Sequence, residues 1–247
     1  MPEAPDLEVI KGFLNRRVQG QQISSARVLK PTVLRSPAGD FPGDIQGRTL
    51  DLVHRRGKFL LAELSGDRWL AINPMLTGAI QYCEPKARVY KKTCIVLSLA
   101  EGGELRYLDD REMGKVYYVN QTQLAQVPLL NDQRPDVLEG FTFEEFTERL
   151  RRFHGEIKGV LTRGAFISGI GNAYSDEILF AADRGNTNTR QPQCRATWMT
   201  MWAEASKPYS PRTSPGWTPE RRRARYPITP PHNRGAARSS ENPLGIG

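Results

Sequence analysis

The chain opens Met1-Pro2-Glu3. Initiator methionine is normally removed before a small second residue, and Pro2 then presents a free secondary amine. An α-amino group titrates at about pH 8, so an appreciable neutral fraction exists near neutrality without special tuning. Such an amine attacks a sugar C1′ to give an iminium, which acidifies the neighbouring C–H and opens the way to elimination. Glu3 stands beside it as a group that moves protons on a ring oxygen or a leaving group. Many chains begin Met-Pro by chance, so the pair gains meaning only from what accompanies it.

The second stretch with chemical potential is Gly169-Ile170-Gly171-Asn172-Ala173-Tyr174-Ser175-Asp176-Glu177, leading into Ile178-Leu179-Phe180-Ala181-Ala182. Asn172 stands where a helix N-cap is expected, with Asp176 and Glu177 just after the first turn. A glycine turn feeding a helix N-terminus exposes backbone N–H groups that suit a phosphate. Metal chemistry has no such pattern. Cys83, Cys94 and Cys194 lack C-x-x-C spacing, and His54, His154 and His232 have no partner spacing.

The elements that must position these residues read as follows. Leu7, Ile10, Phe13, Leu14 and Val18 share one face of an N-terminal helix. From Ile23 to Val119 the texture is β, with runs at Leu50–Val53, Phe59–Leu64, Trp69–Ile72, Ala79–Tyr82, Cys94–Leu99 and Lys115–Val119. Gly, Pro and Asp punctuate them, and the regular spacing predicts an antiparallel sandwich. A polar linker follows over 121–140. Residues 141–183 turn helical: Phe143, Phe146, Leu150 and Phe153 mark one helix, Ile157, Val160 and Leu161 a second, and Asn172 opens a third.

The 247 residues carry a net charge of +8, but its placement is uneven. Residues 184–247 hold 11 Lys and Arg against 3 Asp and Glu, which leaves 24 of each sign in residues 1–183. Overall basicity therefore says little about what the folded part binds. No apolar run approaches the 20 or so residues of a membrane span, and no signal peptide is present, so a soluble protein is expected. Three cysteines fit a reducing cytoplasm.

Five motifs together resemble the formamidopyrimidine-DNA glycosylase / endonuclease VIII family. They are Met1–Glu8, His54-Arg55-Arg56-Gly57-Lys58-Phe59-Leu60, Met75-Leu76-Thr77-Gly78, Asp109-Asp110-Arg111-Glu112-Met113-Gly114 and Gly169–Glu177, in the family's order over residues 1–183. The resemblance implies an α+β protein: a catalytic β-sandwich with its N-terminal helix over 1–120, then a helix–two-turn–helix domain. It implies a bifunctional glycosylase and AP lyase of base excision repair, a bacterial cytoplasmic monomer acting on duplex DNA with oxidised bases or abasic sites. Pro2 would be the Schiff-base nucleophile, Glu3 the general acid/base and Lys58 a phosphate holder beside the lesion. Leu76, Arg111 and Met113 fall where the family fills the void left by a flipped base, and a flipping enzyme needs apolar or guanidinium groups there. Asn172 and Lys158 would hold the DNA backbone.

The family usually continues into a four-cysteine zinc ribbon. Here the match ends just after Ala182, Cys194 is the only later cysteine, and no metal or other cofactor is expected. Residues 184–247 hold nine of the 18 prolines and three of the four tryptophans, and read as a basic, unfolded tail resembling a frameshifted continuation. Two alternatives stay open: a DNA-binding remnant impaired in catalysis, and a plain helix–two-turn–helix nucleic-acid module.

Overall fold

The computed structural model describes residues 1–130, 135–139 and 142–181, with only the backbone of Phe143 and Ala181. Helix α1 spans Ala4–Val18. Pro5 lies in its first turn, where a missing N–H costs nothing, and Arg16 and Arg17 lie in its last turn. Its buried face is Leu7, Leu14 and Val18.

Among the described residues nine strands follow: β1 Ile23–Val28, β2 Leu34–Arg35, β3 Leu50–Arg56, β4 Phe59–Leu64, β5 Arg68–Asn73, β6 Gly78–Cys83, β7 Thr93–Leu99, β8 Glu104–Asp109 and β9 Lys115–Val119. They make two sheets, ordered β1-β7-β8-β6 and β2-β9-β5-β4-β3. Every pairing is antiparallel, as expected, except the two-residue β2–β9 pair, which is parallel. The core between the sheets joins Leu60, Leu70, Ile72 and Val116 to Ile95, Leu97 and Tyr107, and α1 adds its apolar face to the same cluster. Burying such side chains contributes about 1.5–3 kcal/mol each.

Edge strand β3 has an irregular register between Leu50 and Val53. Asn15 of α1 satisfies the backbone there: its amide donates to the Val53 carbonyl at 2.9 Å and its oxygen accepts from the Val53 N–H at 2.8 Å. The helix thus occupies hydrogen-bonding positions that would otherwise invite another strand.

After β9 the chain forms a short helix α3, Gln121–Leu124, capped by Asn120. Val127 and Leu130 then bury against Phe59, Leu61, Ala71 and Val119 on the outer face of the second sheet. The segment expected as a polar linker therefore begins as part of a second apolar cluster. Its polar residues had concealed those two contacts.

The later described residues form α4 (Phe143–Leu150), α5 (Ile157–Leu161) and α6 (Asn172–Ala181). Thr142 and Glu145 cap α4 reciprocally. Phe146, Ile157, Val160, Leu161, Phe166, Ile170 and Leu179 form a separate core, with Phe166 in edge-to-face contact with both Phe146 and Phe153 at 5.3 Å. Among the described residues no helix is long and apolar enough to cross a membrane. The tail over 184–247 and Cys194 lie outside the described residues.

One polar cluster ties the short helix α2, Phe41–Ile45, to the sandwich. Asp44 accepts from Arg48 at 2.6 Å, Arg68 at 2.8 Å and the Tyr118 hydroxyl at 2.6 Å. Burial opposes its ionisation, but these hydrogen bonds outweigh burial and hold the carboxyl at about 2 rather than 3.8. The folded value lies below the unfolded one, so the stabilisation is complete above 3.8 and is lost as the pH falls through about 2. We expect Asp44→Asn to lower stability near neutrality and to flatten the acid limb in that window. Urea midpoints measured from about pH 5 downward check this.

Candidate active site

The N-terminus of α1 is docked into the turn that precedes α6. Pro2 and Glu3 are buried, and the Ala4 N–H donates to the Gly169 carbonyl at 2.9 Å. The Glu3 N–H donates to Asp6 at 3.1 Å. The Glu3 carboxylate accepts three backbone N–H groups, from Gly171 at 2.7 Å, Ala173 at 2.9 Å and Tyr174 at 3.1 Å. This fixes both oxygens of an acid that is only 2% exposed.

That geometry corrects two expectations. The first intrahelical bond of α6 runs from the Ser175 N–H to the Gly171 carbonyl at 3.0 Å, so Gly171 is the N-cap and Asn172 the first helical residue. Glycine has no side chain to cap with, and Glu3 supplies the cap from across the molecule. The N–H groups of Gly171, Ala173 and Tyr174 are consequently committed to a carboxylate, not open to a phosphate. Asn172 itself is exposed beside them.

Both glycines are required by close approach. Gly169 has a φ of +100°, and a Cβ there would lie 2.7 Å from the Ala4 Cβ. A Cβ on Gly171 would lie 2.6 Å from the Glu3 carboxyl carbon.

The β3–β4 hairpin brings Lys58 into the same region. Lys58 is half-buried. Burial pushes its ammonium below the ordinary lysine value, with the nearby Glu3 carboxylate opposing that shift. The hairpin turn at Gly57, φ +56°, is held by a pair that sequence reasoning assigned no role. Arg55 donates to Asp136 at 2.5 and 2.7 Å, to Glu8 at 2.7 Å and to the Gly57 carbonyl at 3.0 Å. Asp136 also accepts the Gly57 N–H at 2.9 Å. Arg55 stood inside a quoted motif, whereas Asp136 sits in the polar stretch with no spacing signal at all.

Leu76, Arg111 and Met113 are exposed and occupy two neighbouring loops, β5–β6 and β8–β9. Asp109, fully buried, joins the loops by accepting from the Thr77 hydroxyl, from the Arg111 N–H at 3.2 Å and from the Gly114 N–H at 2.7 Å. Glu112, between the other two, has a φ of +54° and is tied down by the Thr32 hydroxyl and by Lys30 at 2.9 Å. Met75, beside Leu76, has a φ of +48°. Lys158 on α5 pairs with Asp176 on α6 at 2.6 Å, which compensates part of its charge. His54 contacts Glu63 at 3.4 Å, in keeping with a surface role.

Among the described residues no group of three or more His, Cys, Asp or Glu could hold a metal ion. Cys94 is buried in β7 with its thiol turned to the Lys92 and Asp109 carbonyls, and Cys83 lies in β6.

Residues 1–116 match the family model for the formamidopyrimidine-DNA glycosylase N-terminal domain. The formamidopyrimidine-DNA glycosylase of Pelotomaculum thermopropionicum is 34% identical over 184 residues, covering 74% of this chain and 67% of that protein. That of Moorella thermoacetica is 35% identical over 184 residues, with the same two shares. Among solved structures, Lactococcus lactis Fpg in complex with DNA containing an abasic site superposes with a TM-score of 0.72 at 26% identity, covering 82% of this chain and 76% of that one. The wild-type Lactococcus lactis protein with DNA containing N7-benzyl-Fapy-dG gives 0.73 at 26% identity, covering 82% and 77%.

Two glycines test the Glu3 seat. Gly171→Ala displaces the carboxylate and leaves buried N–H groups unpaired, a loss of roughly 1–3 kcal/mol. Gly159→Ala, within α5 and with open space around the added methyl, gains roughly 0.4–1 kcal/mol. Opposite shifts in urea midpoint are the expected outcome.

Proposed function

Because the chain belongs to the formamidopyrimidine-DNA glycosylase family, we propose that it excises oxidised bases from duplex DNA and cuts the resulting abasic strand as a lyase. Residues 1–120 act as the catalytic domain, and 141–183 as the DNA-binding helices, joined through 121–140. One observation carries the reading: an acid adjacent to Pro2 is buried, oriented by three backbone N–H groups and placed within the field of a half-buried lysine.

Met1 precedes Pro2 in this chain, so the Pro2 nitrogen is an amide until Met1 is removed. The freed amine attacks C1′ of the damaged nucleotide, forming a C1′–N bond as the glycosidic bond breaks and the base departs with a proton. The nitrogen, having given up its proton, then expels the ring oxygen O4′, which takes a proton through Glu3, and the open-chain C1′=N iminium so formed acidifies the C2′ proton. Its removal expels the 3′ phosphate, and a second elimination expels the 5′ phosphate. Glu3 carries protons at the sugar ring oxygen and the leaving group, and its donors keep the carboxylate in one orientation through each transfer. Lys58, as the ammonium, holds a phosphate beside the lesion. Leu76, Arg111 and Met113 occupy the gap in the base stack, where unstacking costs a few kcal/mol per step. Asn172 and Lys158 contact the backbone.

The impaired-remnant alternative remains distinct because the sequence beyond residue 183 holds no zinc-ribbon cysteine set. Borohydride trapping on an oligonucleotide with an abasic site separates the two readings. We expect a covalent adduct with the full chain and none with Pro2→Gly. A folded protein that gives no adduct identifies the remnant.

Lys58→Gln is expected to weaken binding to that DNA by roughly 10- to 100-fold, the loss of one charge-assisted contact. With Lys58 intact, binding falls as the pH rises through its folded value, which burial places below the ordinary 10.5. The variant lacks that alkaline decline. Fluorescence-anisotropy titrations across alkaline pH measure both effects.

A further inference from the structure

The two halves of the site come from distant parts of the chain. Lys58 lies in the β3–β4 turn, and the seat of Glu3 is the turn at 169–174. One ion pair touches the supports of both. The side chains of Arg55 and Asp136 are 4% and 5% exposed. On the hairpin side, the N–H of Gly57 donates to Asp136 and its carbonyl accepts from Arg55, so both polar groups of the turn residue before Lys58 are held by the same pair. On the other side, the Asp136 segment bridges to Ser168 in parallel. The Ser168 N–H donates to the Pro135 carbonyl at 3.1 Å, the Val137 N–H donates to the Ser168 carbonyl at 3.1 Å, and the Ser168 hydroxyl approaches Asp136 at 3.4 Å. Ser168 directly precedes Gly169, whose carbonyl takes the Ala4 N–H. Arg55 also reaches Glu8 on α1, the helix that begins immediately after Glu3.

We propose that Asp136, acting through Arg55, is a positioning residue that sets the Lys58 hairpin and the Glu3-holding turn in one fixed relation. It touches neither substrate nor a reacting atom. The proposal rests on the proposed function for its consequence in catalysis, but not for its consequence in structure. A pair needed only for packing would have no reason to bind both polar groups of Gly57 while also bridging to Ser168. Without the Asp136 carboxylate the Gly57 N–H loses its acceptor and Arg55 keeps only Glu8 and the Gly57 carbonyl, so the hairpin that carries Lys58 loosens relative to the Glu3-holding turn. Displacements of about 1 Å in such a site cost up to about 100-fold in rate.

The test compares the full chain with Asp136→Asn, which keeps the shape and removes the charge, and with Asp136→Glu, which restores the charge on a longer stem. Hydrogen–deuterium exchange is read by segment. For Asp136→Asn we expect faster exchange at 56–58 and at 169–174 together, with β4, β5 and β7 still protected as proof of folding. Borohydride trapping at saturating abasic DNA should slow by about 10- to 100-fold. Affinity for that DNA should change much less, and Asp136→Glu should recover part of the rate. Faster exchange confined to 135–139, or slower trapping that merely tracks the unfolded fraction, overturns the proposal. If the wild-type chain traps no DNA, the glycosylase reading fails, and the exchange pattern alone still decides the coupling of the two turns.

Discussion

The carboxylate of Glu3 sits on the N-terminal turn of α6, and the rest of the site is arranged around that contact. A helix start leaves N–H groups without partners, and a buried acid needs donors. Each problem solves the other here, although the partners are separated by about 170 positions in sequence. Chain ends usually fray. This one cannot, because releasing Glu3 would strand a buried carboxylate and three backbone donors together. Glu3 and Ala4 are thereby tied to the turn before α6 by four backbone N–H and C=O contacts.

The glycines and the hairpin follow from the same constraint. Any side chain at Gly169 or Gly171 would collide with Ala4 or Glu3. Lys58 stands close enough for the Glu3 carboxylate to act on its charge, and it stays there because Arg55 and Asp136 grip the preceding turn from both sides. The sandwich supplies the rigid base. Its buried apolar faces fix strand positions, and its loops inherit that rigidity. Loops β5–β6 and β8–β9 show the same economy: one buried carboxylate, Asp109, joins them. Each carries a residue at positive φ, a conformation that persists only where neighbours over-determine it.

Much of this was legible in the order of residues. The short apolar runs Phe59–Leu64 and Lys115–Val119 marked strands at their observed bounds, and β4 reads as a near-continuous run because the two apolar clusters bury it on both faces. The apolar spacing of Phe146 and Leu150, and of Ile157, Val160 and Leu161, marked helices at a period of about 3.6. Val127 and Leu130 escaped notice because two apolar residues in a polar stretch have no period. Asn172 was misread as a cap because its type suits that position; the helix instead uses an acid that no local pattern could connect to it.

By itself, the sequence determined the residue types and the local periods: a proline and an acid at the start, a glycine turn before a helix, an Arg-Arg-Gly-Lys hairpin and a run of strands. Those depend on interactions within a few residues, so they are written in neighbouring positions. Only the tertiary structure decided that Glu3 caps α6, that Arg55 pairs with Asp136 and that Asp109 joins two loops. Each of these pairs distant charges or dipoles inside a low-dielectric interior, and such partners are selected by the geometry of the whole fold rather than by spacing along the chain.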